Sequence, residues 1–431
     1  MNTKIVLDEK DMPKQYLNIN YYLKRYLGKL PDPPLHPGTK KPITGKDLEA
    51  LFPRELIRQE VSLEKRIEVP EEVYDLYRMY RPSPLIRAKR LEKFLGVRSH
   101  IYYKYEGVSM VGSHKINTAV PQAFYNKKEG VKNLVTETGA GQWGSALSLA
   151  CRFFGLTCTV YMVRVSYDHK PYRRVVMELY GANVIASPST TTVFGRKLLK
   201  ENPNHTGSLG IAIGEALETV IRRGDAKYAL GSVLNHVLLH QSIIGLETVK
   251  QMEKAGEDPD ILIGCCGGGS NFGGFIAPFL ADQLSGKRKK IRMIGVEPDA
   301  CPSMTKGEYR YDHGDSAKLT PLLKMETMGH DFVPSPIHAG GLRYHGIAPI
   351  LAFLHQEKLI EARSYKQDDV FDAGIIFARN EGIIPAPESS HAIKAAMDEA
   401  ITAEKEGIKK TIVFNLSGHG LLDMAGYQEY I

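Results

Sequence analysis

From residue 101 onward the chain alternates short runs of strand character with longer runs of helix character. This alternation, more than any single motif, limits the folds open to it. The pattern predicts strands at 101–104, 134–137, 157–165 and 182–186, with helices starting near Ser113, Gln142 and Tyr172 between them. A second run predicts strands at 261–263, 291–296 and 411–416, with helices after Asn271 and around Phe371 and Ser389. Parallel strands need crossovers, and crossover helices cover both sheet faces, so the expected class is α/β. Two open, mostly parallel twisted sheets flanked by helices should face each other across a cleft that holds the site. The expected division is an N-terminal arm packed on the core (1–80), an N-terminal α/β domain (81–235) and a C-terminal α/β domain (236–431). Within the arm, Leu30-Pro31-Asp32-Pro33-Pro34-Leu35-His36-Pro37-Gly38 can be neither regular helix nor central strand, because its prolines lack N–H donors. It reads as an ordered wrap or an interface arm.

Composition narrows the function classes. With 431 residues, 43% hydrophobic, the chain can build sizeable cores, and its net charge of +7 is scattered among 49 acidic residues rather than gathered into a nucleic-acid stripe. No stretch approaches membrane-spanning length, and charges in Met1–Lys10 occupy the place of a signal-peptide core. Cys151, Cys158, Cys265, Cys266 and Cys301 show no metal-ligand spacing and read as small hydrophobes in a reducing compartment. A soluble, cytoplasmic enzyme that binds neither nucleic acid nor membrane is expected.

Three segments carry chemistry. Gly112-Ser113-His114-Lys115-Ile116-Asn117-Thr118 sets Lys115 in the first turn of an amphipathic helix, whose apolar positions Ile116, Ala119, Val120, Ala123 and Phe124 mark a buried face. Burial lowers a lysine pKa, as an imine-forming amine requires, although a solvated first-turn lysine is the plainer reading of this segment alone. Ile261 to Gly274 reads as strand, glycine loop and helix. Gly267, Gly268 and Gly269 let successive N–H groups converge on an anion at the helix start, and without a following Gly-Lys-Ser/Thr this is a phosphate cradle but not a nucleoside triphosphate loop. Leu134 to Gly144 again reads as strand, loop and helix. Its Gly139, Gly141 and Gly144 fit GxGxxG, but Glu137 would face a pyrophosphate, and Asp168 is a weak substitute for the ribose-binding acid. The alternative is that Thr138, Gly139, Ala140, Gly141 and Gln142 bind a substrate carboxylate, leaving Glu137 as acid or base. Together the three segments describe a site for an amino acid joined to a phosphorylated aldehyde, which pyridoxal 5'-phosphate satisfies.

These motifs, with Gly295-Val296-Glu297-Pro298, Glu381 to Ala386, Glu388-Ser389-Ser390-His391 and Asn415-Leu416-Ser417-Gly418, closely resemble the tryptophan synthase β chain in content and order over about residues 80 to 420. The resemblance implies a fold-type II pyridoxal-phosphate lyase that makes L-tryptophan from L-serine and indole. Lys115 would hold the cofactor as an internal aldimine, serine would displace it as an external aldimine, and Lys115 would then take the α-proton. Glu137 would assist loss of the hydroxyl to leave an aminoacrylate, which indole attacks through C3. His114, Asn117, Gly267, Gly268, Gly269, Ser270, Asn271 and Glu388 would bind the cofactor, and Ser417 its pyridine nitrogen. A serine there leaves the ring largely neutral and favours β-elimination over transamination. A helix cap is the plainer reading of Ser417 taken alone, and for Glu388 a cap on the helix beginning at Ser389 stands level with a place near the ring. The resemblance further implies a homodimer, a monovalent cation (Na+ or K+) held by backbone carbonyls, and an α subunit as partner. A stand-alone indole-salvage form and a serine/threonine dehydratase-type lyase are the alternatives.

Three residues depart from the family pattern. Trp143, the only tryptophan, stands where histidine is usual, Arg343 where aspartate helps close the site, and His419 where arginine is usual. With the long arm, they resemble the diverged second-type branch of β chains.

Overall fold

The computed structural model describes residues 3–431 and contains two main sheets. The larger has seven strands in the spatial order Lys4–Ile5, Leu85–Arg87, His100–Tyr105, Thr411–Leu416, Ile261–Cys265, Arg292–Pro298 and Glu361–Tyr365. The first two pairings are antiparallel and the other four parallel. The smaller sheet orders Asn183–Ser187, Thr157–Val163, Asn133–Thr138 and Ala226–Tyr228, all parallel. The strands therefore fall close to their predicted places, and the expected α/β architecture is present. Among the described residues, no helix is long and apolar enough to cross a membrane.

The sheets divide the chain differently from the expected boundary at residue 235. Leu85–Arg87 and His100–Tyr105, assigned to the first domain, belong to the same sheet as the C-terminal strands, and Lys4–Ile5 of the arm forms its edge. The smaller sheet is thus an excursion between His100–Tyr105 and Ile261–Cys265. Hydrophobic pattern specifies which face of a strand is buried but not which distant strand it pairs with, so the division was not readable from the order of elements. The proline-rich wrap lies on the core, where Leu35 and Leu322 exchange backbone hydrogen bonds of 2.9 and 2.8 Å.

The lysine helix also differs from expectation. It runs over Ile116–Lys128, leaving Lys115 at the N-cap rather than in the first turn. The His114 N–H donates to the Ser417 carbonyl at 2.9 Å, and Ser113 bridges to Gly418, so residues 113 and 114 are tied to the end of a strand and cannot join the helix. Nor is the helix amphipathic: every residue from Ile116 to Asn126 is buried. Its polar positions are hydrogen-bonded instead of solvated, as with Gln122 to the Leu230 carbonyl at 2.8 Å and Thr118 to His240 at 3.0 Å.

Two helices behind the site, Asn235–Ala255 and Ser270–Leu284, pack backbone to backbone. A Cβ on Gly245 would lie 2.3 Å from the Phe275 carbonyl oxygen, so only glycine permits this approach. Phe272, Phe275 and Phe279 are fully buried there and stabilise the fold by roughly 1.5–3 kcal/mol each.

A buried ionic cluster joins the layers. Arg81 binds Glu247 (2.8 and 2.9 Å), Glu106 (2.9 and 3.2 Å) and the side-chain carbonyl of Asn117 (2.9 Å), while Lys104 binds Glu247 at 2.6 Å and Gln251 at 2.9 Å. All four charged side chains are at most 1% exposed, and two cations face two carboxylates. Burial alone would raise the Glu106 carboxyl, but Arg81 and Lys104 outweigh it and hold it at about 2. Glu247→Ala leaves Arg81 and Lys104 sharing one buried carboxylate. It should lower the free energy of unfolding in urea by about 3–5 kcal/mol, whereas an unchanged midpoint would mean that the cluster is energetically idle.

Candidate active site

The carboxyl ends of the strands in both sheets open onto one cavity of about 380 Å³, where Lys115, Glu137, Glu388, Ser417 and both glycine loops meet. The functional side chains sit at the last residues of strands, on the connections that follow them, or in the first turns of helices.

Lys115 projects its amine onto the Gly231 carbonyl at 2.9 Å. Burial pulls its pKa down to about 8, with Cys265, Glu137 and Glu388 acting weakly in the opposite direction. A substantial neutral fraction therefore exists near pH 8, which is what nucleophilic attack on a carbonyl carbon needs. Glu137 lies one residue from the end of its strand, and the Tyr228 hydroxyl donates to it. Burial raises the Glu137 carboxyl to about 7, against the opposing pull of that hydrogen bond. A carboxyl poised near neutrality can serve as acid and as base. Tyr228 carries no local sequence signal, since it reaches Glu137 only because its strand pairs beside Asn133–Thr138.

Strand Ile261–Cys265, the loop 266–269 and the helix from Ser270 follow one another as expected, with Gly269 at φ +91. A Cβ on Gly268 would meet the Ser232 hydroxyl at 2.4 Å, and one on Gly267 the Gly341 carbonyl at 2.5 Å. Side chains here would fill the space in which an anion could meet the N–H groups. Ser232 also accepts the Ser270 N–H at 3.3 Å. Thr138 to Gln142 lead into a second helix start, but Gly141 faces away from the cavity, with Arg173 against its α-carbon, while Thr138, Gly139, Ala140 and Gln142 line it. Thr138 spends its hydroxyl on the Gly144 N–H at 3.1 Å.

Four further expectations are refined by the geometry. Asn117 does not line the cavity. Its side chain is bound into the buried ionic cluster and to Gln241 at 3.1 Å, and Gln241 in turn donates to the His114 carbonyl at 3.1 Å. His114 lines the cavity, and burial with the neighbouring Lys115 pulls its pKa down to about 3, so the ring is neutral in this structure. Glu388 does not cap its own helix. One oxygen accepts the Gly341 N–H at 2.8 Å and holds residues 340–341 between the two glycine loops. The Ser417 hydroxyl is likewise no cap: it pairs with Ser389 at 2.8 Å and lies 3.5 Å from the Cys265 sulfur. Gly231, Ser232 and Tyr228 are site residues that the motifs did not disclose, while Ser389 and Cys265 lie inside motifs that gave them no role.

The three departures sit as follows. Trp143 lines the cavity, Arg343 is buried with one guanidinium nitrogen on the Pro334 carbonyl at 2.7 Å, and His419 packs its ring on Gly112. All five cysteines are buried and free.

Whether pyridoxal phosphate suits these residues can be judged from what the protein leaves unpaired. One Glu388 oxygen and His114 Nε2 are buried without a protein partner, and both residues line the cavity beside an amine of lowered pKa and a side-chain-free anion cradle. The donor set fits a phosphorylated aldehyde bearing further polar groups on a flat ring.

Comparisons with known proteins agree. The profile of a family described as pyridoxal-phosphate dependent enzyme matches residues 76–418. Tryptophan synthase beta chain 2 of Methanosarcina mazei is 59% identical over 99% of this chain and 96% of its own length. The protein of the same name from Thermotoga maritima is 59% identical over 99% of this chain and 100% of its own length. Among solved structures, a T.th. threonine deaminase superposes with a TM-score of 0.58 at 19% identity, covering 81% of this chain and 97% of that one. A fungal L-serine ammonia-lyase from Rhizomucor miehei gives 0.59 at 16% identity, covering 81% and 96%. At such identities these two establish the shared fold alone. The full-length identity to the β chains, matched by the cavity's lysine, glutamate and anion cradle, makes this chain a member of the tryptophan synthase β chain family of pyridoxal-phosphate-dependent enzymes.

Proposed function

We propose that the chain catalyses β-replacement on L-serine by indole to give L-tryptophan. The observation that carries this reading is the pairing, in one cavity, of a lysine amine brought down to about 8 with a glutamate carboxyl brought up to about 7. Pyridoxal phosphate, when bound, supplies the electrophilic carbon for the lysine and an electron sink for the substrate α-carbon. Lys115 would hold it covalently, the Gly267–Asn271 loop would receive its phosphate, and Ser417 would face its pyridine nitrogen.

The remaining steps belong to the chain's own groups. The N–H groups of the Thr138–Gln142 loop orient the amino-acid carboxylate. Lys115, once released, takes the α-proton and later returns it. Glu137, protonated at rest below about pH 7, gives a proton to the departing serine hydroxyl. The carboxylate so formed then stabilises the positive charge that builds on the indole nitrogen as its C3 attacks, and recovers its proton when C3 gives up its hydrogen. The apolar side of the cavity, formed by residues such as Leu48, Phe52, Ile213 and Leu217, suits a flat hydrophobic second substrate and excludes water. A serine or threonine dehydratase-type lyase needs no such chamber and no carboxyl at position 137. The same reading carries a cytoplasmic homodimer with a monovalent cation on backbone carbonyls, and an α-type partner as one source of indole, with salvage of free indole as the other.

Purified protein should be yellow, and Lys115→Ala should abolish the covalent cofactor absorption band. A colourless wild type loaded with pyridoxal phosphate would defeat the proposal. Glu137→Gln should keep the band while turnover of serine with indole falls by about 10²–10⁴-fold, measured as tryptophan formed with and without a candidate α subunit. Keto acid released at a rate indifferent to indole would instead favour the lyase. Because burial raises the Glu137 carboxyl, its acid form persists up to about pH 7 and is lost above it. The serine half-reaction without indole should therefore slow as pH rises through that value, and Glu137→Gln should erase this limb of the profile.

A further inference from the structure

The cavity wall at residues 229–232 is held more firmly than a connecting loop requires. Thr136 donates to the Ala229 carbonyl, and Gln122 exchanges hydrogen bonds of 2.8 and 3.2 Å with the backbone of Leu230. Ser232 accepts the Ser270 N–H. Between these, Gly231 turns its carbonyl toward Lys115, whose amine lies 2.9 Å away, and it accepts the Ser270 hydroxyl at 3.2 Å as well. The opposite side of Gly231 is closed by Trp143. A Cβ on Gly231 would lie 2.6 to 2.9 Å from three atoms of the indole ring, so the ring sits directly on the glycine backbone. The ring is fixed at its far edge, where Nε1 donates to Thr136 Oγ1 at 2.7 Å. Trp143 is 4% exposed and is the only tryptophan in the chain.

We propose that Trp143 is a positioning residue for Lys115: its ring, pinned by Thr136, presses on Gly231 and sets the carbonyl that receives the lysine amine whenever that amine is not bonded to the cofactor. This inference rests on the function proposed above and adds a part to it. An amine that must leave a carbon, move a proton and return to the same carbon needs a defined resting place. A flexible four-carbon stem does not supply one. A carbonyl acceptor also favours the ammonium over the free amine, so shifting Gly231 should move the amine's titration downward. Lys115 is otherwise faced by Glu137, Glu388, Cys265 and the neutral His114, none of which hydrogen-bonds its Nζ.

The test is re-loading of the stripped full-length chain with pyridoxal phosphate, followed by the rise of the covalent cofactor band across pH, which requires neither serine nor indole. In the wild type the rate should rise with pH to a midpoint near 8. Trp143→Ala should slow re-loading by about tenfold below saturation and lower the midpoint, while Trp143→Phe, which keeps a ring face on Gly231, should stay within about threefold of wild type. Thr136→Val releases the ring edge and also frees the Ala229 carbonyl, leaves the indole in place, and should move rate and midpoint in the same direction as Trp143→Ala. Wild-type rate and midpoint in Trp143→Ala would overturn the proposal, as would equal slowing in the alanine and phenylalanine variants. If Trp143→Ala does not fold, Thr136→Val decides, and an unchanged rate and midpoint in it overturn the proposal. A wild type that never forms the band would sink the functional reading instead, so the two failures are distinguishable.

Discussion

The structure hangs on a cluster of four buried charges, Arg81, Lys104, Glu106 and Glu247, which come from three separate parts of the chain. Arg81 follows the arm, Lys104 lies in a central strand, Glu106 just follows that strand, and Glu247 sits in a long helix behind the site. Such a cluster is costly to desolvate and contributes little net stability over an apolar core of equal volume, but a misplaced partner would strand a charge. Its role here is therefore register. The cluster fixes where the arm crosses, where the lysine helix lies through Asn117, and, through Gln241, where the His114 carbonyl sits beside Lys115.

From that register follows the electrostatic state of the site. Lys115 and Glu137 occupy the same water-poor cavity, and burial drives the two groups toward each other from opposite ends of the pH scale. Neither shift needs a strong nearby charge. Desolvation is the leading cause for both, opposed in Glu137 by the Tyr228 hydroxyl. A site so arranged holds both a nucleophilic amine and a proton donor near neutrality, which ordinary lysine and glutamate side chains cannot both provide.

Much of the site was legible from sequence. The glycine loop at 267–269 announced itself because few conformations let that many N–H groups face one point, and the helix behind it was predicted from its apolar run. Glu137 stood out because a carboxylate beside a glycine loop argues against a pyrophosphate. Asn117 was assigned to the cofactor by the family resemblance, yet the turn of the helix carries its side chain away from the cavity and into the ionic cluster. Gly141 shares a motif with cavity residues but faces Arg173. Trp143 was visible as an oddity, and its contact with Gly231, in a distant part of the chain, was not.

The sequence by itself determined the alternation of elements, the two glycine-bearing helix starts and the place of the lysine and the glutamate in their motifs. These depend on periodicity and on local backbone chemistry, which neighbouring residues settle among themselves. The partition of strands between the two sheets, the N-cap position of Lys115, and the pairing of Tyr228 with Glu137 were decided only by the tertiary structure. So were the neutral state of His114 and the seating of the lysine amine on Gly231. Each of these depends on which distant segment excludes water from a group or supplies its hydrogen bond, and periodicity names the buried face without naming what buries it.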